Sequence, residues 1–250
     1  MDTSALAMVT VPFPLSVRVT VPPRFGYTTP FGSALTGGGT LNVTVDYVRD
    51  FFTGNWSAFT GLINATPRSG SGDFRVNNPY GHANAAIYLA GGVNFYNINA
   101  NNQTTDIGEL GGAGGACLGN GSEQSTDSVW RIGARNTTNT YAGIIEDSGV
   151  TSLIKTGTGL LILTGPNTYS GTTTVSDGTL QVGAGGITGT LGPGNIVDDA
   201  ALVFNRYDVV ILSNTISGIG SLTQAGSGVL FWPQPTAMPA RRISPPEPSR

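Results

Sequence analysis

Short apolar stretches, each closed by Gly, Asn, Asp or Ser, recur along the chain with no helical period between them. Apolar residues at i, i+3, i+4 and i+7 between capping residues would mark an amphipathic helix, and no such run is found. The stretches Thr40–Val45, 86–89, 93–96, Ser128–Ile132, Leu160–Leu163, Thr173–Val175, Thr179–Val182 and Ala201–Phe204 read as strands instead. Several place apolar side chains on alternate positions, as a strand with one buried face requires. Without crossover helices a doubly wound α/β fold is excluded, which leaves a sandwich or a solenoid.

Internal repetition favours the solenoid. Ser152, Leu153, Gly157, Gly159 and Leu161 recur as Ser221, Leu222, Gly226, Gly228 and Leu230, an offset of 69 residues. Asn139-Thr140-Tyr141 is echoed by Asn167-Thr168-Tyr169, and Gly39-Thr40-Leu41 by Gly178-Thr179-Leu180. A repeated strand-turn unit that buries one face and stacks on its neighbours defines a repeat architecture.

Composition removes several classes. Charged residues make up 11% of the chain, against about 25% in ordinary globular proteins. Hydrophobic residues reach 39% and the net charge is −3, so the low-hydrophobicity, high-charge profile of a disordered chain does not apply. That charge, with Arg scattered singly, argues against nucleic acid as a partner. No apolar run approaches the roughly 18 residues of a membrane span. Residues 1–30 lack a positively charged start followed by an apolar core, so they are not read as a signal peptide, and an exported parent would carry its signal upstream. The single cysteine, Cys117, forms no intrachain disulfide and reads as a small hydrophobe.

Lys155-Thr156-Gly157-Thr158-Gly159, the run from Leu161 to Gly165, Asn167-Thr168-Tyr169-Ser170-Gly171 and Gly178-Thr179-Leu180-Gln181-Val182 together resemble the autotransporter-associated β-strand repeat of bacterial surface and secreted proteins. The likeness is densest over residues 150–183 and weaker on either side. It implies an all-β, right-handed parallel β-helix, one elongated domain over residues 31–231, displayed extracellularly or on a cell surface. The motif is structural, so the resemblance carries no catalytic residues with it. Glycans or host and cell-surface ligands are the partners it implies.

Residues 1–30 are expected to form an irregular segment or cap. Residues 232–250 change character abruptly to a proline-rich stretch containing the only close basic pair, Arg241 and Arg242. Read one base out of frame with permitted codons, this stretch yields a segment similar to residues 163–181, again at an offset of 69. It is therefore expected to be an out-of-frame, poorly ordered tail on a fragment of a longer protein.

Candidate chemistry is sparse. The only histidine, His82, lies in Asn78-Pro79-Tyr80-Gly81-His82 and reads as an exposed turn residue; an esterase-type hydrolase would have to use it. The neighbouring carboxylates Asp198 with Asp199, and Glu146 with Asp147, would point to opposite faces of a strand rather than pair for sugar hydrolysis. A polysaccharide lyase would need a cationic base, and the only lysine, Lys155, sits within the repeat. Asp106 and Glu109 are oxygen donors for calcium without a calcium-repeat context. The run Gly111-Gly112-Ala113-Gly114-Gly115 reads as a turn, having no phosphate-loop Lys. Trp56, Tyr80, Tyr88, Tyr96 and Tyr141 would form a sugar-stacking strip if aligned outward, and core or inter-coil stacking is the plainer expectation. No catalytic, cofactor or metal site is assigned. The expected role is structural or adhesive, with a carbohydrate-active β-helix or a His82 esterase as alternatives. Self-association through the solenoid ends is expected from their open edges.

Overall fold

The computed structural model describes residues 9–11, 16–20, 34–45, 51–52, 54–76, 81–97, 103–119, 127–147, 149–233 and 243–244. Its strands, in chain order, begin with β1 (Val9–Val11), β2 (Ser16–Thr20), β3 (Leu35–Gly37), β4 (Thr40–Val45), β5 (Phe51–Phe52), β6 (Leu62–Pro67), β7 (Gly72–Val76) and β8 (His82–Leu89). There follow β9 (Val93–Asn97), β10 (Gln103–Gly112), β11 (Cys117–Gly119), β12 (Ser128–Ile132), β13 (Asn139–Tyr141), β14 (Ile144–Ile145), β15 (Thr151–Lys155) and β16 (Leu160–Leu163). The remainder are β17 (Thr173–Val175), β18 (Thr179–Val182), β19 (Ile196–Asp198), β20 (Ala201–Phe204), β21 (Val209–Ile211), β22 (Ile216–Ser217), β23 (Ser221–Gln224), β24 (Val229–Phe231) and β25 (Ile243–Ser244).

Every pairing between these strands is parallel, and partners are separated by one turn of the chain, so the strands form the facets of a β-solenoid. The first facet stacks β10, β12, β15, β17, β19 and β22. The second runs unbroken from β2 through β4, β6, β8, β10, β13, β16, β18, β20 and β23 to β25. The third stacks β5, β7, β9, β11 and β14, and β21 with β24 form a separate pair downstream. The strand β10 is long because it turns from the first facet into the second, pairing with β12 through its first half and with β13 at its end. The expected segment 1–30 contributes β1 and β2, paired with β3 and β4; its other residues lie outside the described ones.

Inward positions repeat from coil to coil. On the second facet Leu41, Ile63, Ile87 and Leu110 occupy one interior column, and Leu161, Leu180, Leu202 and Leu222 continue the pattern downstream. These eight residues are all buried, and each contributes about 1.5–3 kcal/mol by leaving water. The N-terminal half has an aromatic interior: Trp56, Phe74, Phe95 and Trp130 stack in sequence, with ring centroids 4.9 Å apart for Phe74–Phe95 and 5.2 Å for Phe95–Trp130.

Tight corners join the facets. Gly157 has φ +69° and an added Cβ would stand 2.2 Å from the Gly133 carbonyl oxygen of the preceding coil; Gly178, with φ +65°, meets Gly157 O at 2.4 Å. Only glycine takes that backbone at that spacing without strain. The expected turn at 111–115 is shorter than anticipated, because Gly111 and Gly112 end β10 and only Ala113 to Ala116 reverse the chain. The first residue of the expected tail, Trp232, is buried and donates from Nε1 to Asn214 O at 3.2 Å. Within that tail β25 pairs with β23, and residues 234–242 and 245–250 lie outside the described ones.

Candidate functional site

Three of the candidate ionisable residues, His82, Lys155 and Asp198, share one interior column that runs from the start of β8 through β10 into the first facet. Register places His82, Ile107, Ile132, Lys155, Val175 and Asp198 in that column, one per coil. At about 4.8 Å per rung, His82 and Lys155 stand roughly 14 Å apart along the axis, with two isoleucines between them. The column brings the charged types into one line and keeps them out of each other's reach.

His82 is a correction to the sequence reading. It is fully buried rather than an exposed turn residue. Its ring lies edge-on to Trp56 at 5.6 Å and tilted against Phe95 at 6.3 Å. Neither Nδ1 nor Nε2 has a hydrogen-bond partner among the described residues. Burial in this apolar box pushes the imidazole down to about 4, because a proton there would place an unpaired charge away from water. A Ser–His pair needs a hydrogen bond to the hydroxyl and access for the acyl group; among the described residues neither is present at His82.

Lys155 is buried as well, and its ammonium is fully engaged. Nζ donates to the carbonyls of Thr156 and Gly157 at 2.7 Å each and to Asp177 at 3.1 Å. Burial lowers its pKa, partly opposed by the Asp177 charge. The side chain thus satisfies three carbonyls that the corner leaves unpaired, as a buried polar group must. Gln224, its counterpart in the internal repeat, does the same at another corner: Nε2 donates to Arg206 O, Gly226 O and Gly228 O at 3.1–3.2 Å.

The carboxylates are equally committed. Asp198 is buried and accepts from the Ala200 amide, while Asp199 accepts from Ile219 N. Asp147 accepts from the amides of Thr151 and Ser170, at 2.8 and 2.9 Å, pinning two successive coils. On the outer face Asp106 takes a two-point ion pair from Arg131. Glu109 accepts from Thr137 and Asn139, with the Arg135 guanidinium 3.5 Å away. Arg135 also donates to Thr60 O and Asn84 O, tying together coils far apart in sequence. Among the described residues no group of three or more His, Cys, Asp or Glu gathers as metal ligands would. Cys117 lies on β11, nearly buried, and burial with the neighbouring Glu146 pushes its thiol up, which is the inert rather than the nucleophilic direction.

Among the described residues the aromatic strip does not form. Trp56 and Tyr141 belong to the core. The Arg75 guanidinium lies over the Tyr96 ring, 5.8 Å from its centroid, beside the buried Asp73–Arg75 ion pair. Tyr88 alone of the described four is exposed, and Tyr80 lies outside the described residues.

These placements define a repeat scaffold, a parallel β-solenoid whose polar side chains serve corners and inter-coil ties. Residues 153–182 match the family of the passenger-associated-transport-repeat, and on the fold they extend from β15 through β18, slightly more than one coil. The adhesin BmaC autotransporter of Brucella suis biovar 1 (strain 1330) is similar at 45% identity over 92 residues, which is 36% of this chain and 3% of that protein. The chain therefore spans a small part of the relative's length. It carries an autotransporter-type passenger repeat built on a β-solenoid. Among the described residues no helix is long and apolar enough to cross a membrane, which leaves strand-built spans unaddressed.

Proposed function

We propose that the chain is a stretch of the passenger region of a bacterial surface or secreted protein, structural and adhesive rather than catalytic. The observation that supports this most is the coincidence of the passenger repeat with a coil whose only lysine is spent on capping its own corner. The named role of the relative, an adhesin, supports the adhesive part of the reading. Glycans or proteins of a host or neighbouring cell surface are the ligand class, met by the outer faces of the facets. The location is the cell surface or the medium. Residues 232–250, apart from the packed Trp232, are proposed as a foreign extension of the scaffold.

The test is a binding screen of the purified chain against immobilised glycans and extracellular-matrix proteins, run beside an assay with chromogenic esters and acidic polysaccharides. Saturable binding without turnover is the expected result. Turnover that disappears in His82→Ala would overturn the reading and place an esterase site in the solenoid.

A further inference from the structure

One stretch of the second facet is only loosely laddered into it. Register pairs β6 with β8 from Ala86 to Leu89, which leaves His82 to Ala85 without a register partner on β6. On the other side β10 pairs Ile107 with His82 and then Glu109 with Ala86, so that Gly108 alone stands opposite residues 83–85. The start of β8 is thus a bulge, three residues against one. Gly81, with φ +65°, turns the chain into it. Side chains supply further ties: Asn84 Nδ2 donates to Ser57 O at 2.7 Å, and Arg135 Nη1 donates to Asn84 O at 2.7 Å. A segment with few ladder bonds opens at low cost.

At the head of this bulge stands the chain's single histidine. His82 is fully buried, and both ring nitrogens lack partners among the described residues. Trp56 and Phe95 wall the ring, and Phe95 passes the contact on to Phe74 and Trp130. Among the described residues no charged or titratable group faces the ring from these elements. In β7 Asp73 and Arg75 point to the opposite side from Phe74 and bond to each other. In β9 Tyr96 points away from Phe95 and lies under Arg75. In β10 Asp106 points away from Ile107 and takes Arg131 of β12. Glu109 and Arg135 lie together on the outer side, where Thr137 and Asn139 also bond to Glu109. The segment 54–59 that holds Trp56 has no ionisable side chain. A proton on the ring would set an unpaired charge away from water, and burial accordingly holds the imidazole down at about 4.

We propose that the bulged start of β8 is an acid-operated latch: a proton taken up by His82 swings residues 81–85 outward and opens the aromatic box, while the coils downstream stay stacked. The imidazolium finds water for both N–H groups only in the open form, so proton uptake and opening are linked. Coils of a solenoid depend on their neighbours rather than on the whole chain. Downstream no histidine is present, and the buried charged groups Lys155 and Asp198 keep their own partners. The response is therefore confined to the coils around Trp56, Phe74, Phe95 and Trp130. Opening uncovers Trp56 and Phe95, aromatic surface that the closed chain hides.

Hydrogen exchange of the full chain, read by mass spectrometry at pH 7 and pH 4.5 and corrected for the intrinsic effect of pH on exchange, tests this. With a closed-state value of about 4 against an ordinary 6.5 once open, peptides within residues 82–97 should lose protection about 50-fold. Peptides within residues 160–182 should keep theirs. His82→Phe fills the box without titrating and should abolish the loss. Should that variant fail to fold, the proton NMR spectrum of the wild type decides, since one imidazole gives one signal: a protonated-ring signal must grow in step with the loss of protection. An imidazole that titrates near its ordinary value with residues 82–97 still protected overturns the proposal. So does an equal loss over residues 160–182, or a loss that persists in His82→Phe.

Discussion

At the scale of single residues, burial decides what the ionisable groups do. His82 is held neutral by its apolar box, with a folded pKa of about 4 against an ordinary 6.5. The unfolded chain therefore binds the additional proton between these values, and stability falls as pH drops from about 6.5 toward 4. The contribution is full above pH 6.5, and about 2–3 kcal/mol of it is lost by pH 4.5. Urea denaturation at pH 7 and pH 4.5 should show this loss in the wild type and not in His82→Phe, which fills the same aromatic box without titrating. An identical pH dependence in both proteins would show that His82 reaches water. Lys155 makes a second prediction. Lys155→Met leaves three carbonyls without a donor and should cost about 2–3 kcal/mol. Lys155→Gln should cost clearly less, because Gln224 already caps a corner with its amide; chemical denaturation of the two variants separates them. His82 was hidden from sequence reasoning for a definable reason. Ala85, Ile87 and Leu89 face inward on alternate positions, which would aim residue 82 outward. A register shift between β8 and β10 at Gly108 reverses the parity.

Elements were legible where they alternate and obscure where they bend. The expected strands at Thr40–Val45, Ser128–Ile132, Leu160–Leu163, Thr173–Val175, Thr179–Val182 and Ala201–Phe204 coincide with β4, β12, β16, β17, β18 and β20. The strand β10 gave little signal, since Gly108, Gly111 and Gly112 are poor strand residues. It forms because it is paired on both sides, and Gly108 is required there: an added Cβ would meet Ala83 O at 2.4 Å. The repeat of offset 69 is real in sequence and shifted in space. Leu153 is followed in register by Thr173, Ile196 and Ile216 on the first facet, whereas its sequence counterpart Leu222 lies on the second. What repeats is a strand, an inward polar cap and a glycine corner, and any facet can use that unit. By contrast Leu41 and Leu180, paired by the shorter echo, do occupy equivalent positions of the second facet. Thr173 is buried, and its hydroxyl meets Tyr169 OH at 2.7 Å. Corners supply the prediction at this scale. Gly157→Val, forced into a positive φ against a carbonyl, should destabilise by about 3 kcal/mol or more. Gly114→Ala, which meets nothing within 4 Å, should stay within about 0.5 kcal/mol, as thermal melts of the two would show.

At the scale of the whole molecule, the chain is a linear stack of coils. Each coil touches its neighbours, the titratable groups are sealed or tied, and the outer faces are left for contact. The outward positions Asn42, Asn64 and Tyr88 climb the second facet one rung per coil, and Thr140, Ile162, Gln181 and Val203 continue it. Spin labels at Thr140→Cys and Val203→Cys, three rungs apart, should lie about 14 Å from each other along the axis. Labels at Asn42→Cys and Val203→Cys, seven rungs apart when the junction of β10 with β13 is crossed, should lie about 34 Å apart. The most direct measurement is therefore the electron–electron distance for these two pairs, with the buried Cys117 replaced by Ala. Distances that grow in proportion to the number of coils are the result the solenoid predicts. A separation near 15 Å for the Asn42 and Val203 pair would mean that the chain folds back on itself, and would contradict it.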